Sequence, residues 1–179
     1  MVAMTDGYPF FFVMNDRDCT DEKLEYTLQY RFKSSKSHRT YIVRLEKYLN
    51  HAYCVKFFDK SVTESKNKFS IRTNTFEVRT ILYTLYHIML DVLNNDNLAS
   101  FFFIGAEDEK DELGESTRRY RLYRRFVGSA ISDRAFAHYR VNELSLYILV
   151  NRQNMENAEG LINDIVDGVR QAFPHNRME

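Results

Sequence analysis

Ser116-Thr117-Arg118-Arg119-Tyr120-Arg121-Leu122-Tyr123-Arg124-Arg125-Phe126 is the segment of this 179-residue chain best equipped for chemistry, with five arginines inside eight positions and tyrosines between them. A guanidinium presents a planar fork of donors that matches phosphate or carboxylate. A helix opening at Ser116 or Thr117 would add free backbone amides and the positive end of its dipole. The candidate ligand-binding set is therefore Ser116, Thr117, Arg118, Tyr120, Arg121, Arg124 and Arg125, with the arginines on phosphate and Tyr120 as a stacking surface for a base. Six acids, Glu107, Asp108, Glu109, Asp111, Glu112 and Glu115, stand just upstream. Either they pair with the arginines, as most surface charge clusters do, or they gate a site for an external anion.

Other chemistry has less to build on. No Gly-rich phosphate loop is present, and no base accompanies Ser116, Cys19 or Cys54 in a recognisable nucleophile motif. His38, His51, His87, His138 and His175 lack the spacing that binds zinc from one helix. Among the carboxylates only Asp91 has a setting apolar enough to raise its pKa. Catalytic residues, metal ligands and cofactors are accordingly expected to be none.

Elements able to position the arginines can be read along the chain. Tyr8 to Met14 is too short for a membrane span, lacks the layout of a signal peptide, and reads as a strand. Leu24, Tyr26, Leu28, Tyr30 and Phe32 alternate with Glu25, Thr27, Gln29 and Arg31, which predicts a strand with the first set buried and the second exposed. Thr40 to Tyr48 and Tyr53 to Phe58 continue an antiparallel meander, and Phe69 to Arg72 adds a short strand. Asn74 and Glu77 have the spacing of a helix cap with its N3 partner, ahead of an apolar stripe from Val78 to Leu93 that ends at Asn94-Asn95-Asp96-Asn97. Phe101 to Gly105 lacks alternation, as a central strand would. The arginine helix should turn Leu122, Tyr123, Phe126, Val127 and Ala130 inward. A hairpin follows over Phe136 to Val141 and Ser145 to Val150, joined at Asn142-Glu143. A last helix runs from Ala158 to Phe173 and is stopped by Pro174. This order predicts an α+β fold, a single domain over residues 1–179 with a mostly antiparallel curved sheet packed by about three helices.

Gly114 to Arg124 resembles the G-S-T-x-x-R-x-R-L-Y-R signature of small bacterial proteins grouped as domains of unknown function, agreeing in register at Arg121, Leu122, Tyr123 and Arg124 and, displaced by one position, at Ser116 and Thr117. Glu115 stands between its Gly and Ser. The resemblance implies a similar strand-to-helix unit and brings no established activity.

Lys and Arg (25) balance Asp and Glu (25), so no global field draws the chain to nucleic acid or an anionic membrane, and electrostatic recognition must be local. Two cysteines are too few for a disulfide framework and suit a reducing cytoplasm. The sequence thus reads as a non-enzymatic, cytoplasmic binding protein of bacterial or phage type. Its partner is nucleic acid or a phosphorylated small molecule, with no role at a membrane. The competing reading is a protein-interaction module or homodimer in which the arginine helix is structural.

Overall fold

The alternation, caps and apolar stripes resolve into seven strands and three α-helices in the computed structural model, which describes residues 6–19, 21–62, 77–105 and 116–172. The seven strands form a mostly antiparallel sheet, so the fold is α+β. By its contacts the chain divides into two compact units, residues 1–48 with 54–97 and residues 49–53 with 98–179.

In the first unit β1 (Phe10–Asp16), β2 (Leu24–Lys33), β3 (Thr40–Tyr48) and, from Cys54 onward, β4 (Ala52–Asp59) lie in sequence order. The pairings β1–β2 and β2–β3 are antiparallel, as short connections between neighbours require. Tyr30 and Phe32 are buried as the alternation predicts, while Leu24, Tyr26 and Leu28 are only half-buried. Thr27, expected outside, is buried, and Gln29 is half-buried. Alternation assigns a side chain to a face, but what packs over that face decides its burial, and the register also shifts between Leu24 and Tyr26.

Helix α1 (Val78–Asn95) turns Ile81, Leu82, Leu85, Ile88, Met89 and Val92 into the core, and the chain leaves the helix at Asp96, in the Asn/Asp-rich turn. The expected strand over Phe69 to Arg72 and the cap at Asn74 lie outside the described residues. Glu77 is not at N3. It occupies the position before the helix and makes no side-chain cap bond, because its carboxylate is committed elsewhere.

In the second unit β5 (Ser100–Ile104) and β6 (Phe136–Val141) both pair antiparallel with β7 (Leu146–Asn151), every residue of which is buried. Burial on both faces is what the unalternating Phe101-Phe102-Phe103 run required. The hairpin turns through a 3-10 segment at Asn142–Leu144, and Ser145 takes a left-handed backbone with φ of 50°. Helix α2 (Arg118–Ala130) buries Tyr120, Tyr123 and Val127, and α3 (Ala158–Ala172) buries Leu161, Ile165 and Val169. Among the described residues no helix is long and apolar enough to cross a membrane. Leu85, 3% exposed midway along α1, tests the first core: Leu85→Ala should cost about 2–5 kcal/mol in chemical denaturation through the cavity it leaves.

Candidate functional site

The arginine segment is the helix its cap residues promised. Thr117 is the N-cap, in an extended conformation, and its hydroxyl accepts from the Tyr120 amide at 3.1 Å. The same hydroxyl donates to the Gly105 carbonyl at 3.0 Å, and the Thr117 amide donates to Ser145 Oγ at 2.9 Å. Gly105 in turn donates its amide to the Ser145 carbonyl at 2.9 Å. These bonds lock the end of β5, the start of α2 and the β6–β7 turn together.

Gly105 is the residue that makes this possible. A Cβ there would stand 2.5 Å from Thr117 Oγ1 and 2.6 Å from both the backbone N and the Cβ of Tyr120. No side chain larger than hydrogen fits without displacing the helix. The lock also uses up anion-binding capacity at the helix terminus: Thr117 is buried and both its amide and hydroxyl are engaged, leaving Ser116 half-exposed beside it.

Tyr120 does not serve the role the sequence suggested. It is fully buried, its hydroxyl bonded to Asn142 Oδ1 at 2.6 Å, so no base can stack on it. Burial raises its pKa, partly opposed by the positive charges of Arg124 and Arg140. Three residues beyond the cap, Tyr120 falls on the same inward stripe as Tyr123 and Val127, a placement its own aromatic character signalled. Leu122, expected inside, is 39% exposed.

Arg118, Arg121, Arg124 and Arg125 are all exposed, and Arg119 is half-buried. Arg121 donates to the Ser116 carbonyl, folding back over the first turn. Arg118, Arg121 and Arg125 follow one another at spacings of three and four residues, a stripe about 10 Å long at 1.5 Å per residue. No acidic residue occurs within α2, so cations occupy the first turn, where the helix dipole favours anions. The acids from Glu107 to Glu115 lie outside the described residues. Among the described residues Arg124 and Arg125 have no ion-pair partner.

A polar cluster that the sequence reading missed sits in the first unit. The Glu77 carboxylate, 3% exposed, accepts from Ser34 Oγ at 2.5 Å, Ser37 Oγ at 2.9 Å, Tyr8 OH at 3.0 Å and Tyr41 OH at 3.0 Å. Ser34 Oγ also accepts from the amides of Lys36 and Ser37, so the β2–β3 turn is tied to the start of α1 through one carboxylate. Burial alone would raise the Glu77 pKa, but the hydroxyl donors outweigh it and the pKa is lowered. Such a group is held ionised and has no access to substrate, which makes it an anchor and not an acid or base. Its donors come from three separate segments, so no local motif announces it.

The remaining chemical candidates are likewise structural. Asp91 accepts from Tyr30 OH at 2.8 Å. His138 Nδ1 lies 2.6 Å from Tyr147 OH, and the tyrosine is fully buried. Burial lowers the His138 pKa, so its ring is neutral near pH 7, and Asp133 stands 3.4 Å from Nε2. Cys54 is buried, with its thiol pushed up to about 12 by that burial, and is inert as a nucleophile. Among the described residues no three His, Cys, Asp or Glu side chains converge on a metal site.

No family model, curated protein or solved structure matches this chain.

Gly105→Ala should lower the thermal midpoint by several degrees, the signature of a loss on the order of 1–3 kcal/mol from overpacking, measurable by calorimetry. Glu77 makes a pH-dependent contribution. Its folded pKa lies below the unfolded value, so its stabilisation is fully present above the unfolded carboxyl pKa and is lost as pH falls through the folded one. Glu77→Gln should therefore destabilise the protein clearly at pH 7, with the gap between variant and wild type shrinking as the pH falls toward the acid range in urea titrations.

Proposed function

We propose that this chain binds an anionic partner, nucleic acid or a phosphorylated small molecule, through the exposed arginine face of α2. One observation carries the reading: five arginines and no acid on a single helix, four of them exposed, beginning at the end where the dipole already favours negative charge. Like charges three and four residues apart repel one another, so the bare helix loses stability that an anion restores.

The buried Tyr120 narrows the mode of contact. Without it as a stacking platform, recognition runs through phosphate oxygens, which position a partner and carry no base identity. The stripe of Arg118, Arg121 and Arg125 is long enough to face more than one phosphate of a strand, whose charges repeat about every 3.4 Å of rise. Zero net charge on the chain confines the attraction to this face.

The test is a binding titration against single- and double-stranded nucleic acid and against inorganic phosphate, over a range of salt. Wild-type affinity should fall as salt rises, with a log–log slope of about −0.7 to −0.9 for each phosphate neutralised. Replacing Arg121 and Arg125 by Ala should flatten that slope by about one to two phosphate equivalents while leaving the circular dichroism spectrum unchanged. Binding that is absent at low salt, or insensitive to salt, would reject the proposal.

A further inference from the structure

Among the described residues, four of the large apolar side chains most exposed are consecutive: Phe11 (62%), Phe12 (55%), Val13 (42%) and Met14 (45%). They lie on β1, the terminal strand of the sheet, and so belong to an edge whose outer backbone groups pair with no strand among the described residues. Edge strands are ordinarily blunted by charge or by cover, and an apolar one is a template for another strand. Here the charges come only at the end of the strand, at Asp16, with Arg17 just beyond.

The register of β1 adds a detail specific to one occupant. Phe10 and Phe12 pair with Phe32 and Tyr30, and Phe11 pairs with Arg31. The register then slips at Val13, so that Met14 pairs with Gln29 and Asp16 with Thr27. In a regular strand Phe11 and Asp16, five positions apart, would point to opposite faces. The bulge at Val13 puts them on the same face, that of Arg31 and Thr27. Arg31 has its guanidinium 6.0 Å from the Phe11 ring centroid and, among the described residues, no acidic partner.

We propose that β1 is the interface of a homodimer, in which two copies join antiparallel about a two-fold axis perpendicular to the sheet. Such an axis keeps each face continuous across the joint, so residues that meet must share a face. Placing Phe11 opposite Asp16 of the second copy satisfies this. It also sets Phe12 opposite the second copy's Asn15, again face to face, and packs the Val13 and Met14 side chains at the centre. Arg31, one strand inward and extended over Phe11, then reaches across about 10 Å, two inter-strand spacings, to the second copy's Asp16. The symmetry repeats the ion pair at the other end. The occupant that satisfies both the apolar run and the paired charges is this same strand, and each copy has only one β1 edge, so the assembly closes at two.

The full chain should sediment as a monomer–dimer equilibrium across the micromolar range. Met14→Lys should raise the dissociation constant about tenfold or more, as loss of a central contact does. Asp16→Arg and Arg31→Asp should each weaken association when present alone, since each variant sets like charges together at both ends. Mixing the two should restore association, because the arginine introduced in one variant meets the aspartate introduced in the other while the wild-type pair survives at the opposite end. Circular dichroism verifies that each variant is folded. A wild type that stays monomeric, a dimer indifferent to Met14→Lys, charge variants that fail to complement one another, or growth beyond two copies would each overturn the proposal, and a monomer would assign the edge to a different partner.

Discussion

The approach of Gly105 to the first turn of α2 is the contact on which the arginine helix depends. With a Cβ excluded at 2.5 Å from Thr117 Oγ1, the strand end can lie directly against the helix start, and only then can one threonine hydroxyl serve the Gly105 carbonyl and the Tyr120 amide together. Ser145 completes the arrangement from the hairpin, accepting at Oγ and at its carbonyl oxygen. Its left-handed backbone is costly for a residue with a Cβ, yet glycine, which would relieve the strain, has no hydroxyl to offer the Thr117 amide. The helix is thereby aimed by buried hydrogen bonds, and its charged face is left to solvent.

Glu77 and α2 handle isolated charge in opposite ways. The carboxylate is buried and satisfied by neutral hydroxyls from Tyr8, Ser34, Ser37 and Tyr41, which spread its charge without a counter-ion among the described residues. Hydrogen bonds to an ionised group are stronger than those between neutral groups, so one side chain can hold a turn and a helix start together. On α2 the side chains of Arg118, Arg121, Arg124 and Arg125 are exposed, and solvent and salt screen their mutual repulsion. Buried charge here ties elements of the fold together, and the exposed charge on α2 is left to solvent.

Much of this is legible in the sequence wherever the signal is local. The bounds of β3, the Thr117 cap, the stripe of α1 and the unalternating β5 each follow from spacing within a few residues. What escapes is set by partners distant along the chain. Thr27 gives no sign of being buried, because its burial depends on what covers its face of the sheet. Tyr120 looks like a surface ring among arginines, but helical periodicity places it with Tyr123 and Val127, and amphipathic position outweighs charged neighbours. The distance of Glu77 from Asn74 fits a cap, yet hydroxyls between 36 and 69 positions away draw its carboxylate elsewhere. The slip at Val13 that aligns Phe11 with Asp16 is equally silent in the sequence, since a bulge has no residue signature of its own here.

The lock between Gly105 and Thr117 also bears on how this chain can change over evolutionary time. The two ends are held by bonds among Gly105, Thr117 and Ser145 themselves, and the closure entropy of the chain that joins them grows only logarithmically with its length. Doubling that length would cost about 0.6 kcal/mol, less than one ordinary core substitution. The contact that aims α2 is therefore under strict steric control at Gly105, where a Cβ is excluded, while the entropic cost of closing the chain between Gly105 and Thr117 tolerates wide variation in length.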